Sequence, residues 1–236
     1  MSPVKSRLVS GVPVRTIGRG KRGIRGQVNT NGTTTRFESN LERDLLILLD
    51  FDPTVAQVVG QPVTIPYANP KTGRISRYTP DFYVRHVGPD SREILYQVKY
   101  RADLWAAFWK MKPAWKEMQR IAREEGMSHR IITDAEIRPW MENAKFLHPY
   151  LRSTADLEIE DKLHEAMEVL GPAPVNLVLE TAYCARDNRR IAIPHLWRML
   201  ATGAARADLR RPLTMYTPLT PAPEGEDAWQ GPFSPL

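Results

Sequence analysis

The stretch from Thr79 to Tyr100, TPDFYVRHVGPDSREILYQVKY, decides how this chain folds. It sets an acid directly after a proline, then an apolar run, then a Gly-Pro-Asp-Ser turn, then a second apolar run that carries Gln97 and Lys99. Two runs rich in Phe, Tyr, Val and Ile around such a turn predict an antiparallel hairpin. With the turn centred on Pro89, Asp81 stands opposite Gln97. Side chains two apart in a strand share a face, so Gln97 and Lys99 point the same way. The hairpin would then present a carboxylate, an amide oxygen and an ammonium together. A slip of one residue would undo this, because it moves every side chain to the other face.

Outward from the hairpin the pattern is mixed α/β. Before it, SNLERDLLILLD (39–50) predicts a helix, with Leu41, Leu45 and Leu48 on one face and Ser39 as its cap. VAQVVGQPVTIPY and ISRYTPDFYVRH read as strands broken by Pro and Gly. After it, DLWAAFWK begins a helix that Pro113 should end or kink, with AWKEMQRIAREEG resuming it. Trp105 and Trp109, one turn apart, are expected to pack against the sheet, with base stacking as the alternative. HRIITD is a further strand, and AEIRPWMENAKFLHPYL a helical stretch leading away. Three helical segments come next (DLEIEDKLHEAMEVLG, NLVLETAYCARDN and IPHLWRMLATG) with a short strand at the end of RADLRRPLTMYTPL; together they suggest a small winged-helix-like module. The expected organisation is a basic flexible arm at 1–36, an α/β domain at 37–153, the winged-helix-like domain at 154–220 and a tail at 221–236.

Charge is distributed unevenly. The net charge is +6, yet the first 37 residues hold eight basic residues (Lys5, Arg7, Arg15, Arg19, Lys21, Arg22, Arg25, Arg36) and no acid, leaving −2 for the remainder. Such an arm suits a polyanion, nucleic acid above all. Arg15, Arg19, Lys21, Arg22, Arg25 and Arg36 are the DNA-binding candidates. The single cysteine, Cys184, excludes an intramolecular disulfide and a cysteine-cluster zinc site, and reads as a small core residue. No apolar run approaches a membrane span or a signal-peptide core, so a cytoplasmic protein is expected. GRGKRGIRG lacks the preceding strand and the Lys-Ser/Thr ending of a phosphate-binding loop, which argues against an ATPase. His86, His129, His148, His164 and His195 form no local ligand cluster and read as surface or packing residues.

A carboxylate and an amide oxygen are hard ligands that suit Mg²⁺ or Mn²⁺, and the Val98 carbonyl could add a third oxygen. Lys99 beside them could orient an attacking water or offset charge on a phosphorane. The helix before the hairpin offers further carboxylates, Glu38 and Glu42. Glu42 has a second reading: it lies three residues after Ser39, where a capping-box glutamate belongs.

In order, FESNLERDLLILLD, QPVTIPY, YTPDFYV and QVKY resemble the TnsA family of transposon-encoded endonucleases, and IITDAEIRPWMENAKFLHPY resembles the segment on the C-terminal side of their core. The resemblance spans roughly residues 36–220. It implies a restriction-endonuclease-like mixed sheet flanked by helices, with a C-terminal winged-helix-like domain that contacts transposition proteins. The family's helix acid maps to Glu42, with Glu38 the weaker candidate; its Asp after Pro maps to Asp81, and its final pair to Gln97 and Lys99. Gln97 stands where Asp or Glu is commoner. The implied activity is Mg²⁺-dependent cleavage of the 5′ ends of a transposon, beside a TnsB-type DDE integrase and a TnsC-type AAA+ ATPase. Two alternatives stay open: a stand-alone restriction or repair nuclease, and a catalytically silent DNA-binding or assembly subunit.

Overall fold

The structure is a computed structural model that describes residues 9, 13, 26–30, 32–70, 72–89 and 91–223. The basic residues from Lys5 to Arg25 and the tail from residue 224 lie outside them. The described residues form two compact units that divide between Ile137 and Arg138, with Phe51–Pro53 assigned to the second. The expected boundary was 153.

In the first unit the hairpin forms as its spacing requires. Strands β6 (Phe82–His86) and β7 (Glu93–Lys99) are antiparallel, with Phe82 opposite Tyr96 and Tyr83 opposite Leu95. They are the centre of a four-stranded sheet ordered β3-β6-β7-β8, where β3 is Val55–Gly60 and β8 is Ser128–Thr133. Strand β8 runs parallel to β7, so a crossover must join them. Helix α2 (Arg101–Glu124) supplies it in one piece. Of the two outcomes expected at Pro113, an end or a kink, the structure overturns the end: the helix runs through it. It is followed at once by Ala114, Trp115, Met118 and Ala122, all buried against Val59, Tyr83 and Leu95 of the sheet. Burial of this face outweighs one missing backbone bond, which costs about 3 kcal/mol in an unsupported helix.

Helix α1 (Asn40–Asp50) buries Leu41, Leu45, Leu46, Leu48 and Leu49. It packs on a hairpin of β1 (Gly26–Thr30) and β2 (Thr33–Phe37), and also touches β7. This hairpin corrects the flexible arm expected over 1–36 in its last part, from Gly26 onward; the rest of the arm lies outside the described residues apart from 9 and 13. The hairpin's alternation buries Thr30, Thr35 and Phe37 while Gln27, Asn29 and Thr34 face outward. Asn31-Gly32 is the strongest short hairpin signal in a sequence, and Gly32 takes φ +80°. Two further strands, β4 (Ile65–Ala68) and β5 (Ile75–Tyr78), pair with each other. Trp105 and Trp109 correct a second expectation: they do not pack on the sheet but stand 67% and 72% exposed.

The second unit grows out of α3 (Asp134–Leu147), whose later part it contains. Buried Asn143 donates to the carbonyls of Leu209 (2.8 Å) and Arg211 (2.6 Å) and accepts from Leu213 N–H (3.0 Å). That clasp explains why the division falls before residue 153. Then come α4 (Leu157–Leu170), β9 (Ala173–Pro174), α5 (Val175–Ala182), α6 (Arg186–Thr202), β10 (Ala205–Arg206) and β11 (Pro218–Pro221). The strands form a three-stranded sheet ordered β10-β11-β9. Asp156 caps α4 through Ile159 N–H (3.3 Å), and Arg198 of α6 grips Glu160 of α4 with bonds of 2.8 and 2.7 Å. The segment expected to be helical as far as Asn188 instead ends α5 at Ala182 and restarts at Arg186. Cys184 falls in the turn between them and is exposed rather than in the core.

Candidate active site

The candidate residues gather where β6 begins and β7 ends. Asp81 sits one residue before β6, opposite Gln97, and its main chain is fixed on both sides. Its N–H donates to the Tyr96 carbonyl (2.9 Å), and its carbonyl accepts from Gln61 N–H (2.8 Å). Gln61 has φ +48°, a left-handed conformation that few non-glycine residues adopt. The Asp81 side chain is equally constrained: Oδ2 accepts from Val98 N–H (2.6 Å) and from Gln97 Nε2 in a short hydrogen bond.

Gln97 is buried at 5% exposure, and its amide orientation is set by its partners. Nε2 faces Asp81, while Oε1 accepts a 2.7 Å bond from Tyr78 Oη. Tyr78 Oη also lies 3.1 Å from His129 Nε2. Since the Tyr78 proton goes to Gln97, His129 must donate from Nε2, which fixes its tautomer. Burial supports this by pushing His129 down to about 4, so the ring is neutral. Tyr78 is raised well above the usual phenol range, first by burial and then by the charge of Asp81, and stays a donor. A directional chain results: His129 to Tyr78 to Gln97 to Asp81. The parallel register accounts for His129, because it pairs Leu95 with His129 and Gln97 with Ile131, so His129 shares the face of Gln97.

Glu42 completes the group from the head of α1. Its Oε2 accepts from Glu38 N–H (2.7 Å) and its Oε1 from Ser39 Oγ (2.9 Å), while Glu42 N–H donates back to Ser39 Oγ (3.2 Å). This is the capping box read from the sequence, shifted so that the acceptor takes the N–H of residue 38. Electrostatics tie the helix to the hairpin. Loss of hydration raises Glu42, while Lys99 pulls it down. Asp81 is pushed up to about 8, chiefly by loss of hydration and next by repulsion from Glu42, with Val98 N–H and Lys99 opposing and Glu38 adding to the rise. Carboxylates that crowd one another in this way create a demand for positive charge.

The structure thus brings Glu42, Asp81, Gln97 and Lys99 together, with Glu38 at the margin. Among the described residues no three His, Cys, Asp or Glu side chains converge as a metal-ligand group. The amide oxygen expected to face a metal is engaged by Tyr78 instead. Arg36 is exposed on β2, and the other DNA-binding candidates lie outside the described residues. Sequence reasoning missed Tyr78, His129 and Gln61; Tyr78 stood only three residues before Asp81.

The arrangement is an acid after proline opposite a Gln-x-Lys strand end, in a mixed four-stranded sheet, with a helix acid acting on it. Residues 52–134 match the family model described as TnsA-like endonuclease N terminal. The match contains Asp81, Gln97 and Lys99 and begins after Glu42. No curated protein matched the chain.

Proposed function

We propose that this chain is a metal-dependent DNA endonuclease that cleaves the 5′ ends of a transposon within a heteromeric cut-and-paste transposase. The observation that carries the reading is Asp81, held by Val98 N–H and Gln97 at the end of β7 within the TnsA-like match, with the charges of Glu42 and Lys99 acting on it. Glu42, Asp81 and the Val98 carbonyl would hold Mg²⁺ or Mn²⁺, with Glu38 as a further carboxylate, and the ion would supply Lewis acidity at the scissile phosphate. The donor chemistry fits, because burial raises both carboxylates and the charge of Glu42 raises Asp81 further.

The protein's own groups do the rest. Lys99 offsets negative charge on the attacked phosphate and orients the incoming water. Gln97 donates to Asp81 and so fixes the direction of its other oxygen, a positioning task served by Tyr78 and His129 behind it. The basic residues of the N-terminal segment hold backbone phosphates and add affinity without sequence preference. In the second unit the order helix, strand, helix, helix, strand, strand supports a winged-helix reading, and we assign it to docking on a TnsB-type DDE integrase and a TnsC-type AAA+ ATPase. Among the described residues no helix is long and apolar enough to cross a membrane.

The test is cleavage of transposon-end DNA by the full chain with its partner integrase, in Mg²⁺ and in EDTA. Metal-dependent breaks at the 5′ ends are expected. Integrase-independent cutting of any DNA would favour the stand-alone nuclease, and metal binding without cleavage under all conditions would favour the silent subunit.

A further inference from the structure

Helix α2 starts at Arg101, two residues after Lys99, so its first turns lie beside the candidate centre. At 3.6 residues per turn, Arg101, Trp105, Phe108, Trp109, Lys112 and Lys116 fall within about 100° of arc on one side of the helix. The stripe is ~22 Å long at 1.5 Å per residue. It holds three cations and three aromatic rings and no acid; Asp103 lies on the other side.

Its construction is rigid. Lys112 Nζ lies 4.8 Å from the Trp109 ring centre and 5.6 Å from that of Phe108. Phe108 packs edge-on to Trp109 at 5.4 Å and tilted to buried Trp115 at 6.1 Å, which links the exposed rings to the core. Two indoles about 70% exposed on a braced helix are costly unless something covers them.

We propose that this stripe is a platform for unpaired nucleotides of the DNA strand leaving the candidate centre. Base faces lie on Trp105 and Trp109, and phosphates meet Arg101, Lys112 and Lys116. Charge selects a polyanion, and lysine is depleted from the cores of protein–protein interfaces. Spacing selects unpaired bases. The two indoles are ~6 Å apart along the helix axis, wider than the 3.4 Å rise of a duplex strand, which suits bases drawn out of the stack. Stacking on exposed aromatic rings beside a basic track is how single strands are held without sequence preference. The inference rests on the nuclease reading only for the DNA that arrives at the centre.

The experiment measures anisotropy of a labelled oligo-dT and of a blunt duplex of equal length, with the full chain in EDTA so that nothing is cut. Trp105→Ala/Trp109→Ala should weaken oligo-dT binding by about 10-fold or more and duplex binding by less than about twofold. Trp105→Phe/Trp109→Phe should keep most of the affinity. Both indoles are exposed, so melting temperatures should match the wild type. Unchanged oligo-dT binding in the alanine variant overturns the proposal. Equal loss on both DNAs also overturns it, because the stripe would then read backbone charge alone. So does unchanged DNA binding with lost co-elution of the partner integrase, which would make the stripe a protein interface. A wild-type chain that binds oligo-dT through the stripe yet never cleaves DNA would sink the nuclease reading and leave this one standing.

Discussion

Tyr78→Phe removes one oxygen and keeps the ring, which makes it the sharpest probe of the candidate centre. Tyr78 and Gln97 are each 5% exposed, so no solvent replaces the lost donor. Gln97 Oε1 loses its 2.7 Å bond and His129 Nε2 its 3.1 Å bond. A buried acceptor left unpaired costs about 1–3 kcal/mol, and the half-buried His129 adds less because water can reach it. The hydroxyl itself no longer has to be dehydrated, so a net loss of about 1–2 kcal/mol is expected. In urea this should appear as a lower midpoint with an unchanged slope.

The functional effect should be larger than that loss implies. Without Tyr78 the Gln97 amide keeps only Asp81 and a long 3.4 Å bond to the Val98 carbonyl to orient its nitrogen, and Asp81 Oδ2 has a less firmly placed donor. Loss of groups that orient metal ligands typically costs 10–100-fold in metal affinity or activity. Mn²⁺ titration calorimetry on the folded variant should therefore show affinity weaker by about 10-fold or more. His129→Gln keeps an N–H donor and should be much milder. If Tyr78→Phe is folded and binds Mn²⁺ within about twofold of wild type, Gln97 is not positioned by this chain and the reasoning fails.

Asp81→Ala should abolish cleavage and spare DNA binding, while Lys99→Ala should slow cleavage by at least ~100-fold, both read on transposon-end DNA with the integrase present; normal cutting by Asp81→Ala would mean the centre lies elsewhere. Glu42→Ala should lose cleavage together with about 0.5–2 kcal/mol of stability, and Glu38→Ala should be milder; cleavage retained by folded Glu42→Ala would leave it a cap only. Asp81 and Glu42 are both raised in the folded state, so the metal-free fold holds more protons than the unfolded chain, and stability should fall as pH rises from the ordinary carboxylate range near 4 to about 8. Thermal melts in EDTA should show this slope and Asp81→Asn should flatten it; a wild-type melting temperature that climbs across that window would contradict the assignment. Deleting residues 1–25 removes seven basic groups and should flatten the salt dependence of DNA binding without unfolding the β1–β2 hairpin; an unchanged slope would rule the segment out as a phosphate contact.

The central hairpin was legible because two independent rules agreed on it. A turn centred on Pro89 fixes the pairing, and the same register places Leu95 inward and keeps Gln97 and Lys99 on one face. Helix α1 was equally legible, since its leucines repeat at helical spacing and Ser39 marks its start. What sequence concealed was tertiary. Asn31-Gly32 is a turn signal, but it lies in a basic segment without apolar periodicity, where a local turn does not by itself predict a packed hairpin. The fate of Pro113 depended on how much apolar surface Trp115 and Met118 bury beyond it, which no local rule measures. Trp105 and Trp109 have helical spacing that suits a core, yet the core-facing positions of α2 are taken by Ala114, Trp115, Met118 and Ala122 further along. His129 looked isolated among histidines because its partner is a tyrosine 51 residues away at the end of β5, and the pairing of β8 with β7 is what sets His129 on the face where the two meet.

Glu42 offered two readings that excluded each other on paper, cap or metal ligand, and the geometry removes the exclusion. A carboxylate has about four lone-pair directions, and the cap uses one on each oxygen. The remaining ones are open to a cation, and the two bonds from Glu38 N–H and Ser39 Oγ stop the side chain from swinging away. Asp81 is treated alike: Val98 N–H and Gln97 hold one oxygen and leave the other without a hydrogen bond among the described residues. Each acid is thus oriented by donors while remaining raised by burial, Asp81 also by the charge of Glu42 and Glu42 by that of Glu38. A purely structural cap at a helix end would lie in solvent, where it would gain the same bonds without that repulsion. Holding two acids close at such a cost makes sense if a cation lies between them when the protein works, and that is why the metal titration, rather than the cleavage assay alone, decides what Glu42 is for.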